Sequence, residues 1–296
     1  MSVEHAGDQA ADPVAPVSEP GCPSCGAASR APDAPQEHRS PSYVYALGQV
    51  DFRFPDMGVE RELAQTMSRT ETAQLTDRQA VSEVLTRPEN RYLARHLCYV
   101  FTVQGMDTYA LVPRDPADIG LLAEAVCPEH RATALDVVVG VRGPVAAPGL
   151  CNGLALPLVT VDQLYSFDTA DLVAAIDKPD SMATEQFDRG AEDLLRTVMS
   201  VADNVGASDE HRALTYLLVR YSEIYRKTFE SSMNESSLTS IDVRRSNIGG
   251  ARRVMDVVLA YSSRRTDVTE KFFVPVDVTD EYPFRLHGLS PYYDHH

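Results

Sequence analysis

No apolar run in this chain approaches the ~20 residues that a membrane-crossing helix needs. The N-terminal stretch "MSVEHAGDQAADPVAP" is acidic and lacks the basic-then-apolar order of a secretory signal. Both absences lead to the expectation of a cytoplasmic protein. Positive charge is scarce as well: 27 Lys and Arg stand against 43 Asp and Glu, a formal net charge of -16. A surface of that sign repels phosphate backbones and anionic membranes, so neither nucleic acid nor a membrane is expected as a partner. Cysteine is sparse and odd in number, five in 296 residues. Without export features, that count argues against a disulfide framework and leaves metal binding, reactivity or plain burial as uses for the thiols. What the chain does have is core-forming material. With 44% hydrophobic and 24% charged residues it can bury roughly three-quarters of its unfolded surface, in one large domain or two smaller ones.

Residues 1–41 are rich in Pro, Ala, Ser, Asp and Glu and show no apolar period. They cannot repay the entropy of ordering and are expected to form a disordered arm. Residues 42–296 are expected to be the folded part, with a subdivision near residue 180. In that part "SYVYALGQVDFRF" reads as a strand ended by Pro55, and "GVERELAQTM" as a short helix. "TDRQAVSEVL" places Thr76 and Gln79 at capping-box spacing ahead of a second helix, which Pro88 stops. "LCYVFTVQGMDTYALVP" reads as a hairpin turning at Gly105 and Asp107. "DPADIGLLAEAV" is a helix with an acidic first turn. "TALDVVVGVRG" is a strand buried on both faces, "LALPLVTVDQLYSF" another strand, and "DTADLVAAI" a helix capped by Asp168.

Two long helical patterns follow, "EQFDRGAEDLLRTVMSVADNV" and "SDEHRALTYLLVRYSEIYRKTFESSM", joined by a short link as a helical hairpin. The segments "SLTSIDVRRS", "RRVMDVVLAYSS" and "EKFFVPVDV" alternate at period two, as in an antiparallel meander. Met255, Val257, Leu259 and Tyr261 should share one face, and Phe272, Val274, Val276 and Val278 another. The expected class is α+β: a mixed α/β first half, then a helical hairpin packed on an antiparallel β-meander.

Several of these segments, taken in order, resemble a known family. "SYVYALGQVDFRFPDMGVEREL", "LTDRQ", "ENRYLARHLCYVFTVQGMDTYALVPRDPAD", "VVVGVRGP", "LCNGLALP", "DNVGASDEHRALTYLLVRY", "RTDVTEKFFVPVDVT" and "LSPYYD" resemble the C-terminal domain of the cyanobactin maturation proteins PatA and PatG. The resemblance runs from about residue 43 to residue 294. It implies a domain of unknown function in the maturation of ribosomally made peptides. In those multidomain proteins, cleavage and macrocyclisation belong to a separate subtilisin-like domain. This chain carries neither a Gly-framed nucleophilic serine nor an HGT-like histidine for a subtilisin triad, so no protease activity is expected of it.

The thiols carry the sharpest expectation. Cys22 and Cys25 in "GCPSCGAAS" stand at Cys-x-x-Cys spacing, with Pro23 and Gly26 favouring the tight turn that aims two thiolates at one centre. A structural zinc needs four ligands. Cys151, between the glycines of "PGLCNG", suits the third place, and the resemblance, which includes "LCYV" and "LCNG", implies Cys98 as the fourth. Cys127 and His130 in "CPEH" make an alternative Cys3His set, although the resemblance implies a residue other than cysteine near 127. A third arrangement joins Cys-x-x-Cys pairs across a homodimer. The plain readings stand beside these: Cys98 as a small buried apolar residue and Cys127 as an incidental thiol. Thioredoxin-like redox chemistry needs the pair at a helix start and is not expected in such a tail.

Other residues offer less. His96 reads as a partly buried histidine bonded to backbone, and His211 as part of a helix first turn. His295 and His296 end the chain and could bind a transition metal weakly. The carboxylates of "DPADIG" and "TDVTEK" read as caps and turn formers. Arg244, Arg245, Arg252 and Arg253 in "VRRSNIGGARR" read as a solvated hairpin tip, with an acidic leader peptide as the rival use. Together these lead to the expectation of a non-catalytic accessory or peptide-binding module, stapled by structural zinc, whose partners are a precursor peptide or its modifying enzymes. The alternative is a metal-dependent peptide-tailoring enzyme, which would keep one coordination position open for water.

Overall fold

The computed structural model describes residues 41–69, 75–126, 133–174, 204–248, 250–266 and 268–293. The chain divides into two units, Met1–Ser40 and Pro41–His296, and the description below concerns the second. Cys22, Cys25, Cys127, His130, His295, His296 and the first long helical pattern up to residue 203 lie outside the described residues.

Five strands form a closed barrel: β1 (Tyr43–Arg53), β2 (Cys98–Val103), β3 (Met106–Pro113), β4 (Ala134–Val145) and β5 (Pro157–Asp168). Their order around the barrel is β1-β2-β3-β5-β4. Only the β3–β5 pair is parallel. This is the Greek-key arrangement of an OB-type barrel, a fold that hosts many functions and dictates none. Alternation along each strand sorts the side chains between two sides. Val44, Ala46 and Val50 of β1 join Tyr99, Phe101, Tyr109, Leu111, Val138 and Val159 in one core, whereas Tyr45 and Leu47 join another.

β1 pairs with β4 over residues 43–48 and with β2 over 49–53, so it must turn a corner at Gly48. A Cβ there would lie 2.2 Å from the Thr102 carbonyl oxygen, which only glycine avoids. The Asp136 carboxylate accepts the Val50 N–H at 2.6 Å at this corner. Burial raises the Asp136 pKa, against the hydrogen bonds from Ser166 and Val50.

Between β1 and β2 the chain makes α1 (Met57–Arg69), α2 (Asp77–Thr86), a 3-10 turn (Pro88–Asn90) and α3 (Arg91–His96). The capping box expected at Thr76 and Gln79 is present in both directions. A further helix, α4 (Ile119–Ala125), lies between β3 and β4, and α5 (Thr169–Ala174) follows β5. Leu63, Val81, Val84, Leu93 and Leu122 from α1–α4 pack into the same core as the barrel strands.

The second sheet is antiparallel: β6 (Ser236–Arg245), β7 (Val254–Ser263) and β8 (Thr269–Asp277), with the short β9 (Phe284–Arg285) and β10 (Ser290–Pro291) both on β8. Two helices, α6 (Asp209–Arg220) and α7 (Glu223–Met233), contribute Leu214, Leu217, Ile224 and Phe229 to the core formed by its inner face and the β1 and β4 wall of the barrel. The two expected strand faces hold, because Met255, Val257, Leu259 and Tyr261 share that core with Val274, Val276 and Val278, and Phe272 packs against it. The class is α+β.

The pattern expected as one helix from Ser208 to Met233 is two. At Tyr221 the backbone leaves the helical region (φ -130, ψ 90). Inside a continuous helix the Leu218 carbonyl would accept an N–H from Ser222, but here it accepts the Tyr225 hydroxyl at 2.8 Å. The Tyr221 hydroxyl accepts the Leu289 N–H at 3.0 Å and its ring lies under Arg285. Tertiary partners therefore break a helix that local spacing favours.

Candidate functional site

A groove of about 370 Å3 opens beside the barrel where β1 ends and α1 and α2 diverge. Its apolar lining is Phe52, Phe54, Leu63, Ala64, Met67 and Val81, and its polar lining is Glu60, Asp77 and Arg78. Phe52 and Phe54 meet edge to face, with ring centroids 5.4 Å apart. Leu63 and Val81 are buried and hold α1 and α2 to the core. An ion-pair chain fixes the opening: Asp51 of β1 accepts from Arg78 of α2 at 2.8 Å and from Arg53 at 2.7 Å, and Arg53 also reaches Asp107 at 2.8 Å. Burial pushes the Asp51 carboxyl up, but the hydrogen bonds from Arg53 and Arg78 outweigh it and leave the pKa lowered. Arg78 lines the groove while its Nη1 donates to Asp51. A concave apolar surface with a few fixed polar groups on its margin binds small ligands or a few side chains of a peptide.

Away from the groove lining, the loop between β4 and β5 packs on β2 and β3. Ala146, Leu154, Leu156 and Leu158 pack there with Val100 and Ala110 around Cys98 and Cys151. The two cysteines are 3% and 0% exposed, and their Cα atoms stand 5.3 Å apart. The structure joins them as a disulfide, although the cysteine count argued against disulfides. The reason is tertiary, since 53 residues separate the two positions and only the loop's packing unites them. Among the described residues no group of three or more His, Cys, Asp or Glu could hold a metal ion. A four-thiolate site built on Cys98 and Cys151 therefore needs ligands from outside the described residues. In reduced form, two adjacent soft sulfurs in a dry, apolar setting are a suitable half of a structural zinc site.

A third cluster was not legible in the sequence. Arg114, just past β3, holds Asp162 of β5 with two hydrogen bonds, Nη2 to Oδ2 at 2.6 Å and Nε to Oδ1. The Arg114 contact holds the Asp162 carboxyl below its usual range. Glu281, in the loop after β8, leans on the same carboxylate. Burial and the hydrogen bond and charge of Asp162 push its pKa up to about 7. Two carboxyl groups with separated proton affinities are what acid-base chemistry uses, but Asp162 and Glu281 do not line the groove. They stand far apart in the sequence, and no spacing rule could have joined them.

The other expected residues fall as follows. His96 is exposed in the last turn of α3, not buried, and His211 sits in the first turn of α6. The arginines of "VRRSNIGGARR" are more occupied than a solvated tip would be. Arg252 pairs with Asp277, Arg253 with Asp209 at 3.0 Å, and Arg244 with Asp242 at 3.4 Å. Asp115 caps the turn before α4 by accepting the Ala117 N–H at 2.7 Å, as expected of "DPADIG".

The described residues thus make an OB-type barrel with an appended helix pair and sheet, and a side groove of apolar lining with Glu60, Asp77 and Arg78 beside it. The chain belongs to the PatG domain family, whose model matches residues 43–244. A solved structure titled "PatG Domain of Unknown Function" superposes with a TM-score of 0.67 at 20% sequence identity, covering 85% of this chain and 98% of that one. At that identity the likeness is one of fold. Among curated proteins no sequence matches this one. No helix among the described residues is long and apolar enough to cross a membrane.

Proposed function

We propose that this protein is a non-catalytic accessory module of ribosomal peptide maturation, acting in the cytoplasm, that binds a precursor peptide through the groove between α1, α2 and the end of β1. The observation that carries the reading is the groove itself. At about 370 Å3 it stands at the small end of ligand pockets, roughly 300–1,000 Å3, which suits the side chains of a short peptide segment. Membership of the PatG domain family supports a role related to PatG. The test is calorimetric titration of ribosomal precursor peptides encoded near the gene into wild-type protein and into Ala64→Trp. Ala64 is exposed on α1 and lines the groove, so the indole should fill the site without disturbing the core. Binding by the wild type and its loss in Ala64→Trp would support the reading. Turnover of the peptide by the protein alone would favour the tailoring enzyme instead.

The second part of the proposal is a structural zinc shared by Cys22, Cys25, Cys98 and Cys151. Its support is the closeness of Cys98 and Cys151 together with the spacing of Cys22 and Cys25. Bound there, zinc would supply cross-linking and no reaction. In protein purified under reducing conditions, one zinc per chain is expected, falling below ~0.2 per chain in Cys98→Ser/Cys151→Ser. Metal-free reduced protein would sink this part.

A further inference from the structure

The charges around the groove say what kind of peptide segment it takes. Two acids lie on its margin, Glu60 in the first turn of α1 and Asp77 in the first turn of α2. Both are exposed, so their charges face solvent and any arriving ligand. The single cation among the described lining residues, Arg78, pairs through Nη1 with Asp51 at 2.8 Å, so its charge is matched there before any ligand arrives. The floor between the acids is apolar and holds Phe52, Phe54, Leu63 and Val81. A carboxylate-bearing segment entering this groove would lose water against a like charge, whereas a cationic one gains an opposite charge at a partly desolvated rim. The chain's net charge of -16 adds a long-range field of the same sign.

We infer that the groove selects a segment in which one or two bulky apolar residues are flanked by Lys or Arg, and rejects one flanked by Asp or Glu. The inference rests on the peptide-binding reading above and goes beyond it by assigning the ligand's charge. Glu60 and Asp77 act as positioning residues that anchor the flanking cations, while Phe52, Phe54 and Val81 receive the apolar side chains. An acidic leader segment, by contrast, is disfavoured at this site.

Two fluorescein-labelled peptides, GKLFKG and GELFEG, test it by fluorescence anisotropy at 50 mM and 500 mM NaCl. GKLFKG should bind at least ~10-fold more tightly than GELFEG at low salt, with the ratio narrowing several-fold at high salt as the charges are screened. In Glu60→Gln/Asp77→Asn, checked for folding by circular dichroism, the ratio should fall toward one while the affinity for GELFEG rises. In Ala64→Trp both peptides should lose at least ~10-fold, which places binding in the groove. Equal affinities in the wild type, or tighter binding of GELFEG, would overturn the charge assignment. If that happened while Ala64→Trp still abolished precursor binding, the peptide-binding module would stand and only its charge preference would fall. A wild-type protein that binds neither probe up to millimolar concentration also overturns the inference, and the precursor titration then decides the wider reading separately.

Discussion

Replacing Arg212 by Met should loosen the junction between α6 and the loop after β8. The guanidinium is 1% exposed. Its Nη1 donates to the Val278 carbonyl at 2.8 Å, and its Nη2 donates to the Asp280 carbonyl and to that of Glu281 at 3.1 Å. It also stands 3.5 Å from Asp209 and lies over the Tyr43 ring at 5.3 Å. Burial strips its water and lowers its pKa to about 10, so it remains charged at neutral pH. Three charge-assisted hydrogen bonds at about 1.5 kcal/mol each give roughly 4–5 kcal/mol, and relief of the cation's own desolvation returns part of it. Replacing both members of a buried pair is often neutral, but here the three carbonyls stay behind with no donor. The net loss should therefore be about 3 kcal/mol, or roughly 6–12 °C in Tm for a folded part of this size. Arg212→Lys, which keeps the charge but cannot reach three carbonyls at once, should lose about half as much. Urea denaturation followed by circular dichroism reads both values, and hydrogen exchange should quicken first at residues 278–281. A Met variant within 1 kcal/mol of wild type, or one no worse than Lys, would refute the account of Arg212 as the clamp on that loop.

Two further outcomes follow from the same geometry. Glu281 has a folded pKa raised from 4.5 to about 7, so it binds a proton more readily folded than unfolded. Its contribution is fully present below about pH 4.5 and is lost as pH rises through about 7. Solvent screening at this partly exposed site holds that contribution to about 1 kcal/mol. Glu281→Gln should flatten the fall in stability between pH 5 and pH 8 by that amount, and identical pH profiles would rule the assignment out. Gly206 adopts φ +69, and a Cβ there would lie 2.4 Å from the Tyr45 carbonyl oxygen. Because its own carbonyl accepts the Tyr45 N–H at 2.9 Å, the segment cannot simply back away. Gly206→Ala should cost at least ~2 kcal/mol by thermal denaturation, and a neutral result would contradict the close approach.

Much of the local structure was legible because it depends on neighbours in sequence. The capping box at Thr76 and Gln79, the hairpin turn through Gly105 (φ +77), the doubly buried run Leu135–Val139 and the alternating faces of β7 and β8 all follow from spacing and side-chain type. Closure of the barrel did not follow. It depends on β1 changing partners at Gly48 and on the parallel pairing of β3 with β5, and neither leaves a periodic trace. The helix break at Tyr221 was hidden for a related reason, since the Tyr225 hydroxyl donates to Leu218 in place of a helical N–H while the Leu289 N–H and the Arg285 cation hold Tyr221.

The sequence by itself determined where most of the described strands and helices lie, which faces of β7 and β8 are apolar, and that the chain is acidic, because propensity, periodicity and charge are local sums. The tertiary structure alone decided the relations between distant residues: Cys98 beside Cys151, Asp162 beside Glu281, Arg212 under the 278–281 loop, and Glu60 and Asp77 lining the same apolar groove. Such juxtapositions arise where packed elements cross, and the pairing of surfaces many residues apart is set by the whole core rather than by any stretch of it.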